Sequence, residues 1–350
     1  MRIIALALLL LLATFISSNA KEATPSPIEL IRPANKTLYV GENVTFVIQT
    51  NSRKIDVITL KQDNNMTTEI PVKPTKQTYC KTVPIHVGEN NITVRAFEKG
   101  KVVAEVKRNL YFLSELFEGA DEPEGYNRAF FHADNNENRC KACHDMTSNV
   151  PTNDEALEDV TQTTCYKCHQ PMMRTKSTHA PAANWLCLDC HDGTVSEYNM
   201  EDKGKSKYLV RDPVAGACGK CHDTVEGWFM NRYTHGPVND GRCIRCHNPH
   251  GSDNEFFLRK HIWDLCTTCH AEKATGKHIV SSFVFSRNRG AHPTKGPRDP
   301  ARPERTFVCS SCHNPHGSSG IFLLRMKGSV PFNVCGRCHK KTSTNYGSKR

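Results

Sequence analysis

Two patterns of hydrophobic and polar residues divide this chain of 350 residues into unlike parts. In the first part, Val44, Phe46 and Ile48 stand at every second position, as do Ile92, Val94 and Ala96. Alternation of this kind is typical of half-buried β-strands. Short apolar stretches at 28–31, 55–60, 79–85 and 102–106 predict further strands. Beyond residue 116 long periodic segments are few, which predicts loops and short helices.

Turn-forming residues separate the predicted strands. Gly41-Glu42-Asn43 and Gly88-Glu89-Asn90 are turn-prone, and Glu98-Lys99-Gly100-Lys101 predicts a hairpin turn. Seven or so short strands in about 95 residues predict a β-sandwich over residues 21–115. The sequence Gly-Glu-Asn-Asn-Ile-Thr-Val at 88–94 resembles bacterial immunoglobulin-like domains. That resemblance implies an all-β immunoglobulin-like fold for this part.

This predicted β-domain also contains one cysteine and four potential glycosylation sites. We expect Cys80 to be a small buried residue of a strand, with an intermolecular disulfide as the alternative. The Asn-x-Thr triplets begin at Asn35, Asn43, Asn65 and Asn91. Threonine-rich strands produce such triplets by chance, so glycosylation is an alternative that depends on the host.

The amino end predicts export from the cytoplasm. Met1-Arg2 is basic, residues 3–16 are apolar except for Thr14, and 17–20 are small or polar. This is the pattern of a signal peptide over residues 1–20, cleaved near Ala20. The apolar run is shorter than the roughly 20 residues of a membrane-spanning helix, so a retained anchor is the weaker alternative. We expect a periplasmic or extracellular protein without a membrane anchor.

The motif Cys-x-x-Cys-His occurs eight times beyond residue 116 and uses sixteen of the seventeen cysteines. This pattern is the attachment site of a c-type haem, in which both thiols bond to the haem and the histidine is the proximal iron ligand. We therefore predict eight covalently attached haem c groups. The predicted attachment cysteines are Cys140, Cys143, Cys165, Cys168, Cys187, Cys190, Cys218, Cys221, Cys243, Cys246, Cys266, Cys269, Cys309, Cys312, Cys335 and Cys338. The predicted proximal ligands are His144, His169, His191, His222, His247, His270, His313 and His339.

The motifs repeat in pairs. Residues 243–259 and 309–325 align without a gap at an offset of 66, and both read Cys-x-x-Cys-His-Asn-Pro-His-Gly-Ser before an aromatic and aliphatic cluster that ends in arginine. This resembles the doubled Cys-x-x-Cys-His domain of multihaem cytochromes. The resemblance implies that residues 116–350 form a loop-rich, mainly short-helical cytochrome c region. About 29 residues per haem leave the haems themselves to form most of the core, with Trp185 and Trp263 packed against them.

Eight further histidines beyond residue 116 match the eight predicted irons in number, which suggests two histidine ligands per iron. His132, His179 and His235 each stand eight residues before a motif pair, and His292 stands seventeen before the last pair. His250 and His316 belong to the repeated Asn-Pro-His sequence, whereas His261 and His278 have no repeat counterpart. Met172 and Met173 are alternative ligands, and a methionine ligand would raise the potential of its haem. His86, in the predicted β-domain, is expected to be solvated.

Charge and ligation together favour an electron carrier. The formal charge of +10 would be offset by the propionates of the eight haems, which carry sixteen negative charges. The sequence contains no run of basic residues with interleaved aromatics, so we do not expect it to bind nucleic acid. Irons with two histidines have no open position, which suits electron transfer to redox partner proteins or extracellular acceptors rather than catalysis. The alternatives are an octahaem reductase of nitrogen or sulfur oxyanions and a subunit of a cytochrome filament, a possible homopolymer. Structural zinc is the rival interpretation of the cysteine pairs.

Overall fold

A computed structural model describes residues 25–117, 122–128, 130–148, 159–194, 206–275, 278, 292–325 and 332–338. The predicted signal peptide at 1–20 and His339 lie outside these residues. Within the described ranges, no helix combines the length and the apolar character needed to cross a membrane.

The amino-terminal part is an all-β domain of two sheets, as predicted. Alternating residues of the strands point inward, and Phe46 and Ile48 of one sheet share a core with Ile58 and Val94 of the other. The strands are β1 (Ile28–Arg32), β2 (Thr37–Tyr39), β3 (Asn43–Thr50), β4 (Val57–Gln62), β5 (Thr67–Pro71), β6 (Thr78–Pro84), β7 (Gly88–Glu98), β8 (Lys101–Phe112) and β9 (Asn127–Arg128). One sheet has the order β1-β3-β6 and the other β5-β4-β7-β8-β2-β9. Neighbouring strands are antiparallel except that β2 runs parallel to β8 and β9.

The predicted turns have different outcomes. The β7–β8 hairpin turns at Lys99 and Gly100, which have φ angles of 51° and 77° as a two-residue hairpin requires. The prediction of a turn at Gly88-Glu89-Asn90 is wrong because β7 already begins at Gly88. The chain turns one step earlier, where the Asn90 side chain hydrogen-bonds to the backbone N–H and carbonyl of His86.

The burial predicted for Cys80 is also wrong, since this thiol is exposed. Tyr79 occupies the inward position of β6, so the side chain that follows it points to the opposite face of the sheet. Neighbouring atoms still cover part of the thiol. This partial burial and then the nearby thiols of Cys140 and Cys143 raise the pKa of Cys80, so that face of the sheet lies near the first haem motif. The asparagines of all four Asn-x-Thr triplets are exposed as well.

The carboxy-terminal part consists of loops and short helices, as predicted, and it also contains two-residue strands. Its α-helices are α1 (Asp134–Glu137), α2 (Tyr166–His169), α3 (Ala180–Ala183), α4 (Ala215–Gly219), α5 (Thr224–Phe229), α6 (Gly236–Asn239), α7 (Ile262–Cys269) and α8 (Phe332–Gly336). The short strands are β10 (Ser177–Thr178), β11 (Tyr233–Thr234), β12 (Gly251–Ser252) and β13 (Gly317–Ser318). β10 pairs with β12 and β11 with β13, so each pair of strands joins segments far apart in sequence.

Candidate haem sites

Each motif forms a single helical turn. In the seven motifs whose histidine is described, the histidine N–H donates to the carbonyl of the first cysteine, at 2.9–3.1 Å. In the later pairs the first motif begins a short 3-10 helix, at Cys187–Asp189, Cys243–Arg245 and Cys309–Ser311. The second motifs lie on or at the end of α2, α4, α7 and α8. One turn therefore brings two thiols and an imidazole together. We number the sites 1 to 8 in the order of their motifs.

Six of these motif histidines face a second imidazole from outside the motifs. The ring centres are 6.0 Å apart for His132 and His169, 6.0 Å for His179 and His222, 6.0 Å for His191 and His250, 6.3 Å for His235 and His270, 5.9 Å for His247 and His316, and 6.1 Å for His278 and His313. These pairs serve sites 2, 4, 3, 6, 5 and 7, respectively.

This separation is close to the one expected for two imidazoles that bind the same metal ion from opposite sides. Metal–imidazole bonds in proteins are about 2.0–2.1 Å long, and a ring centre lies about 1.2 Å beyond its nitrogen, so two rings on opposite sides of one metal have centres about 6.5 Å apart. Among the described residues, no group of three or more His, Cys, Asp or Glu side chains is arranged to hold a metal ion by itself.

The pairing follows the repeat. The histidine eight residues before a motif pair faces the second motif histidine of that pair, as His179 faces His222 and His235 faces His270. The histidine of Asn-Pro-His faces the first motif histidine of the preceding pair, and His250 thus faces His191. Sites of neighbouring pairs are therefore interlocked along the chain.

The Thr-His-x-Pro sequence holds the backbone of His179 between a short strand and a short helix. Thr178 belongs to β10, His179 has extended backbone angles, and α3 follows with Pro181 in its first turn. Proline is well suited to that position because no helical hydrogen bond needs its missing N–H. Residues 233–237 repeat the arrangement with β11, His235 and α6.

The glycine of Asn-Pro-His-Gly-Ser permits close contact between β12 and β10. Gly251 has a φ angle of 144°, and a Cβ atom there would lie 2.6 Å from the Ser177 carbonyl oxygen. The contact lets the N–H of His179 donate to the His250 carbonyl at 3.2 Å. Gly317 is equally constrained, with a φ angle of 152° and a Cβ position 2.9 Å from Asn231.

Backbone carbonyls orient the proximal rings. The Nδ1 atom of His247 lies 2.8 Å from the Phe256 carbonyl oxygen, and that of His313 lies 2.7 Å from the Phe322 carbonyl oxygen. Phe256 and Phe322 have φ angles of 58° and 57°, in the left-handed region that phenylalanine rarely adopts. With Nδ1 bonded to a carbonyl, the ring nitrogen Nε2 is left to bind a metal.

Burial favours the neutral form of several of the paired imidazoles, and a metal ligand must be neutral. It lowers the pKa of His169, His250 and His316 to about 4 in each case. The pKa of His132 is also lowered by burial, although its hydrogen bond to Glu137 acts in the opposite direction.

Some residues that contact the paired histidines belong to no sequence motif, and the sequence analysis did not identify them. Glu137 is 1% exposed, lies 3.1 Å from Nδ1 of His132, and is bonded to Lys207. Trp228 stacks on His316 with ring centres 4.0 Å apart. Glutamate and tryptophan occur in every kind of fold, so only the contacts of these two residues show their role at the sites.

Met172, one of the two alternative methionine ligands, does not lie where an iron ligand would have to be. The Met172 sulfur lies 3.2 Å from Nδ1 of His169, not opposite the iron-binding nitrogen. Of the tryptophans predicted to contact haem, Trp185 is buried beside Tyr166 and Trp263 donates to Thr294.

Comparison with known proteins identifies this region. Residues 235–275 and 302–344 match the doubled CXXCH motif family, and residues 172–248 match the family of cytochrome c7 and related cytochrome c. The Multiheme cytochrome MtrA of Shewanella baltica (strain OS185) is 28% identical over 169 residues, which cover 47% of this chain and 44% of that protein. The carboxy-terminal region is a multihaem c-type cytochrome. The chain thus spans less than half the length of this relative.

Among solved structures, fibronectin(III)-like modules of Clostridium thermocellum CbhA align with 25% of this chain and 97% of their own, at 15% identity and a TM-score of 0.21. An engineered protein aligns with 25% of this chain and 20% of its own, at 9% identity and a TM-score of 0.22. Scores this low do not assign a fold, so the immunoglobulin-like assignment stays a prediction.

The sites of the cytochrome region follow one another in chain order. The thiols of Cys165 and Cys187 lie close enough to interact, which joins sites 2 and 3. The same contact joins sites 4 and 5 through Cys218 and Cys243, and sites 6 and 7 through Cys266 and Cys309. His179 bonds to the Pro249 carbonyl at 2.9 Å to join sites 3 and 4, and His235 bonds to the Pro315 carbonyl to join sites 5 and 6.

The two end sites continue this order. Burial is the main cause of a raised pKa at Cys168, and the neighbouring thiols of Cys80 and Cys140 raise it further. Site 1 therefore lies next to site 2. Burial is likewise the main cause of a raised pKa at Cys312, and the neighbouring thiol of Cys338 raises it further. Site 8 therefore lies next to site 7. Consecutive sites are therefore neighbours from one end of the cytochrome region to the other.

Three predicted ligands remain outside the six pairs among the described residues. His144 and His261 are both exposed, and neither ring faces another imidazole there. The ring of His292 lies 6.0 Å from Phe307. His292 stands before the last pair as His235 stands before the third, so the repeat predicts that it faces His339.

Proposed function

We propose that this protein carries electrons along a line of eight covalently bound haems, each iron held by two histidines. The observation that carries the proposal is the chain-ordered row of sites with six imidazole pairs about 6 Å apart. Two histidines bound to each iron would leave it without a position for substrate, and haem would supply the reversible one-electron chemistry.

The residues of the chain hold each haem in position. Covalent attachment through paired cysteines fixes each haem, and carbonyls such as that of Phe256 hold the proximal ring in one orientation. Exposed Phe256 and Phe322 provide apolar surface beside sites 5 and 7 on which a porphyrin can pack. Lysines and arginines pair with the propionates, which explains a charge of +10 on a haem carrier.

We further propose export and a redox partner outside the cytoplasm. The signal-like amino end, the haem attachment motifs and the similarity to a multihaem cytochrome support this proposal. The partner is a protein or an extracellular electron acceptor that contacts the haem at one end of the line.

An experiment on electrode-bound protein tests the linear arrangement. Mass spectrometry first counts the haems, and the exposed Cys80 near site 1 attaches the protein to gold. We expect fast exchange of electrons with all eight haems. Removing site 4 by Cys218→Ala with Cys221→Ala should leave fast exchange only with sites 1–3, whereas removing site 8 by Cys335→Ala with Cys338→Ala should spare sites 1–7.

Two results would contradict the proposal. Fast exchange with the sites beyond the site 4 deletion would show that the sites do not act in series. A catalytic current on adding nitrite, hydroxylamine or sulfite would instead favour the oxyanion reductase.

A further inference from the structure

Site 1 is the one described site whose motif histidine faces no second imidazole. The repeat gives the reason, because His191 and His247, the first motif histidines of the second and third pairs, each face the Asn-Pro-His histidine of the next pair. In the second pair this sequence is replaced by Asp192-Gly193-Thr194, so threonine stands where the ligand would be. The second ligand of site 1 therefore has to come from elsewhere.

The surroundings of His144 do not supply that ligand. His144 lines a cleft of 420 Å³ together with Lys141, Lys207 and Met146. Lys207 is held by Asp134 at 2.9 Å and by buried Glu137, and Lys141 donates to Asn138 at 3.2 Å. Met146 is only two residues from His144, too close along the chain to reach the opposite side of a haem.

The other histidines are accounted for with one exception. Twelve of the seventeen form the six pairs, and the repeat assigns His292 to His339. In His86, Nε2 contacts Asp63 at 3.0 Å and Nδ1 contacts the Val87 carbonyl at 3.1 Å, so both ring nitrogens are engaged. Only His261 is left for the iron of site 1.

His261 is presented for contact outside its own chain. It is exposed at the start of α7, the helix that ends with the motif of site 6. The first turn of that helix fixes its backbone, since Leu265 N–H donates to the His261 carbonyl at 2.8 Å. The aligned repeat has Lys327 at the matching position, so His261 is not part of the shared ligand pattern. Sites 2–5 separate it from site 1 along the row.

We propose that His261 of a second copy of this chain binds the haem iron at site 1 and completes its ligation. The inference rests on the proposed two-histidine ligation. The contact joins two different surfaces of the same molecule, so it repeats from copy to copy and builds a ring or a filament. The end haem of one chain is thereby held beside the row of haems of the next, and electrons can pass between copies.

Complementation between two haem-loaded variants tests the proposal. His261→Ala keeps site 1 but lacks the donated ring, and Cys140→Ser with Cys143→Ser keeps His261 but lacks the haem of site 1. Alone, each should be monomeric, and His261→Ala should have one high-spin haem per chain. Mixed in equal amounts, they should form a dimer, and the high-spin signal in the electron paramagnetic resonance spectrum should disappear.

Wild-type protein gives the matching reference. Dilution should convert low-spin assemblies into monomers with one high-spin haem each, and His86→Ala should behave in the same way as wild type. The proposal is overturned if the mixed variants stay monomeric and high-spin, or if wild-type monomers are fully low-spin at every concentration. It is equally overturned if site 1 stays high-spin in assemblies. These outcomes are distinct from a failure of the electron-carrier proposal, which is read from haem count and catalytic current.

Discussion

Replacing His250 with alanine should change one haem and leave the others intact. The His250 ring stands 6.0 Å from that of His191, at an interplanar angle of 8°, and its low pKa shows that burial keeps it neutral. The backbone contacts of residue 250, to Asn248 and to the N–H of His179, do not involve the imidazole. We therefore expect the neighbouring site 4 to keep its geometry in His250→Ala.

The expected magnitude follows from the stoichiometry and from the loss of one ligand. One of eight sites, or an eighth of the haem iron, should change from low to high spin. If the lost imidazole binds ferric iron about 100-fold more tightly than ferrous iron, the potential of that haem rises by about 120 mV, at 59 mV per tenfold change.

Electron paramagnetic resonance and a redox titration measure the two effects. Imidazole added to the solution should enter the space left by the side chain and restore the low-spin signal. His86→Ala is the matched control, because this exposed histidine faces no other ring in the described part of the chain. An unchanged spectrum and unchanged potentials in His250→Ala would refute the pairing of His250 with His191, and with it the rule that links consecutive motif pairs.

Three further predictions follow from individual contacts. Gly251→Ala should displace β12 from Ser177 and shift the spectra of sites 3 and 4 together, whereas Gly216→Ala, where a Cβ meets nothing within 4 Å, should not. Glu137→Gln should raise the potential of site 2 alone in a redox titration, because a carboxylate bonded to Nδ1 of His132 makes that ligand more basic. Buried Asp299 has its pKa lowered below 3.8 because hydrogen bonds, including one from Ala301 N–H, outweigh the opposing effect of burial. Its contribution to stability is present above that ordinary value and is lost as pH falls through the lower folded one, so Asp299→Asn should reduce neutral-pH stability and flatten acid unfolding curves in that window.

Local chemistry made much of this protein predictable from its sequence. Attachment of haem c needs two thiols and an imidazole within five residues, so the motif states the cofactor directly. Alternation of apolar residues in β3 and β7 likewise identified an all-β domain, because a strand exposes successive side chains to opposite faces. The same local reasoning failed at Gly88, where the Asn90 side chain moved the turn to earlier residues.

The partner of each ligand was decided only by tertiary structure. His250 stands three residues after His247 in sequence yet faces His191, because β12 pairs with β10 and carries the ring to the preceding pair. Nothing in the local sequence states which distant strand Gly251 will approach. Cys80 points outward because Tyr79 occupies the core. Among the described residues His261 faces no other ring, because the fold places its helix beside another site. Spacing along a chain thus fixes which groups can bind iron, whereas strand pairing between distant segments determines which two groups meet.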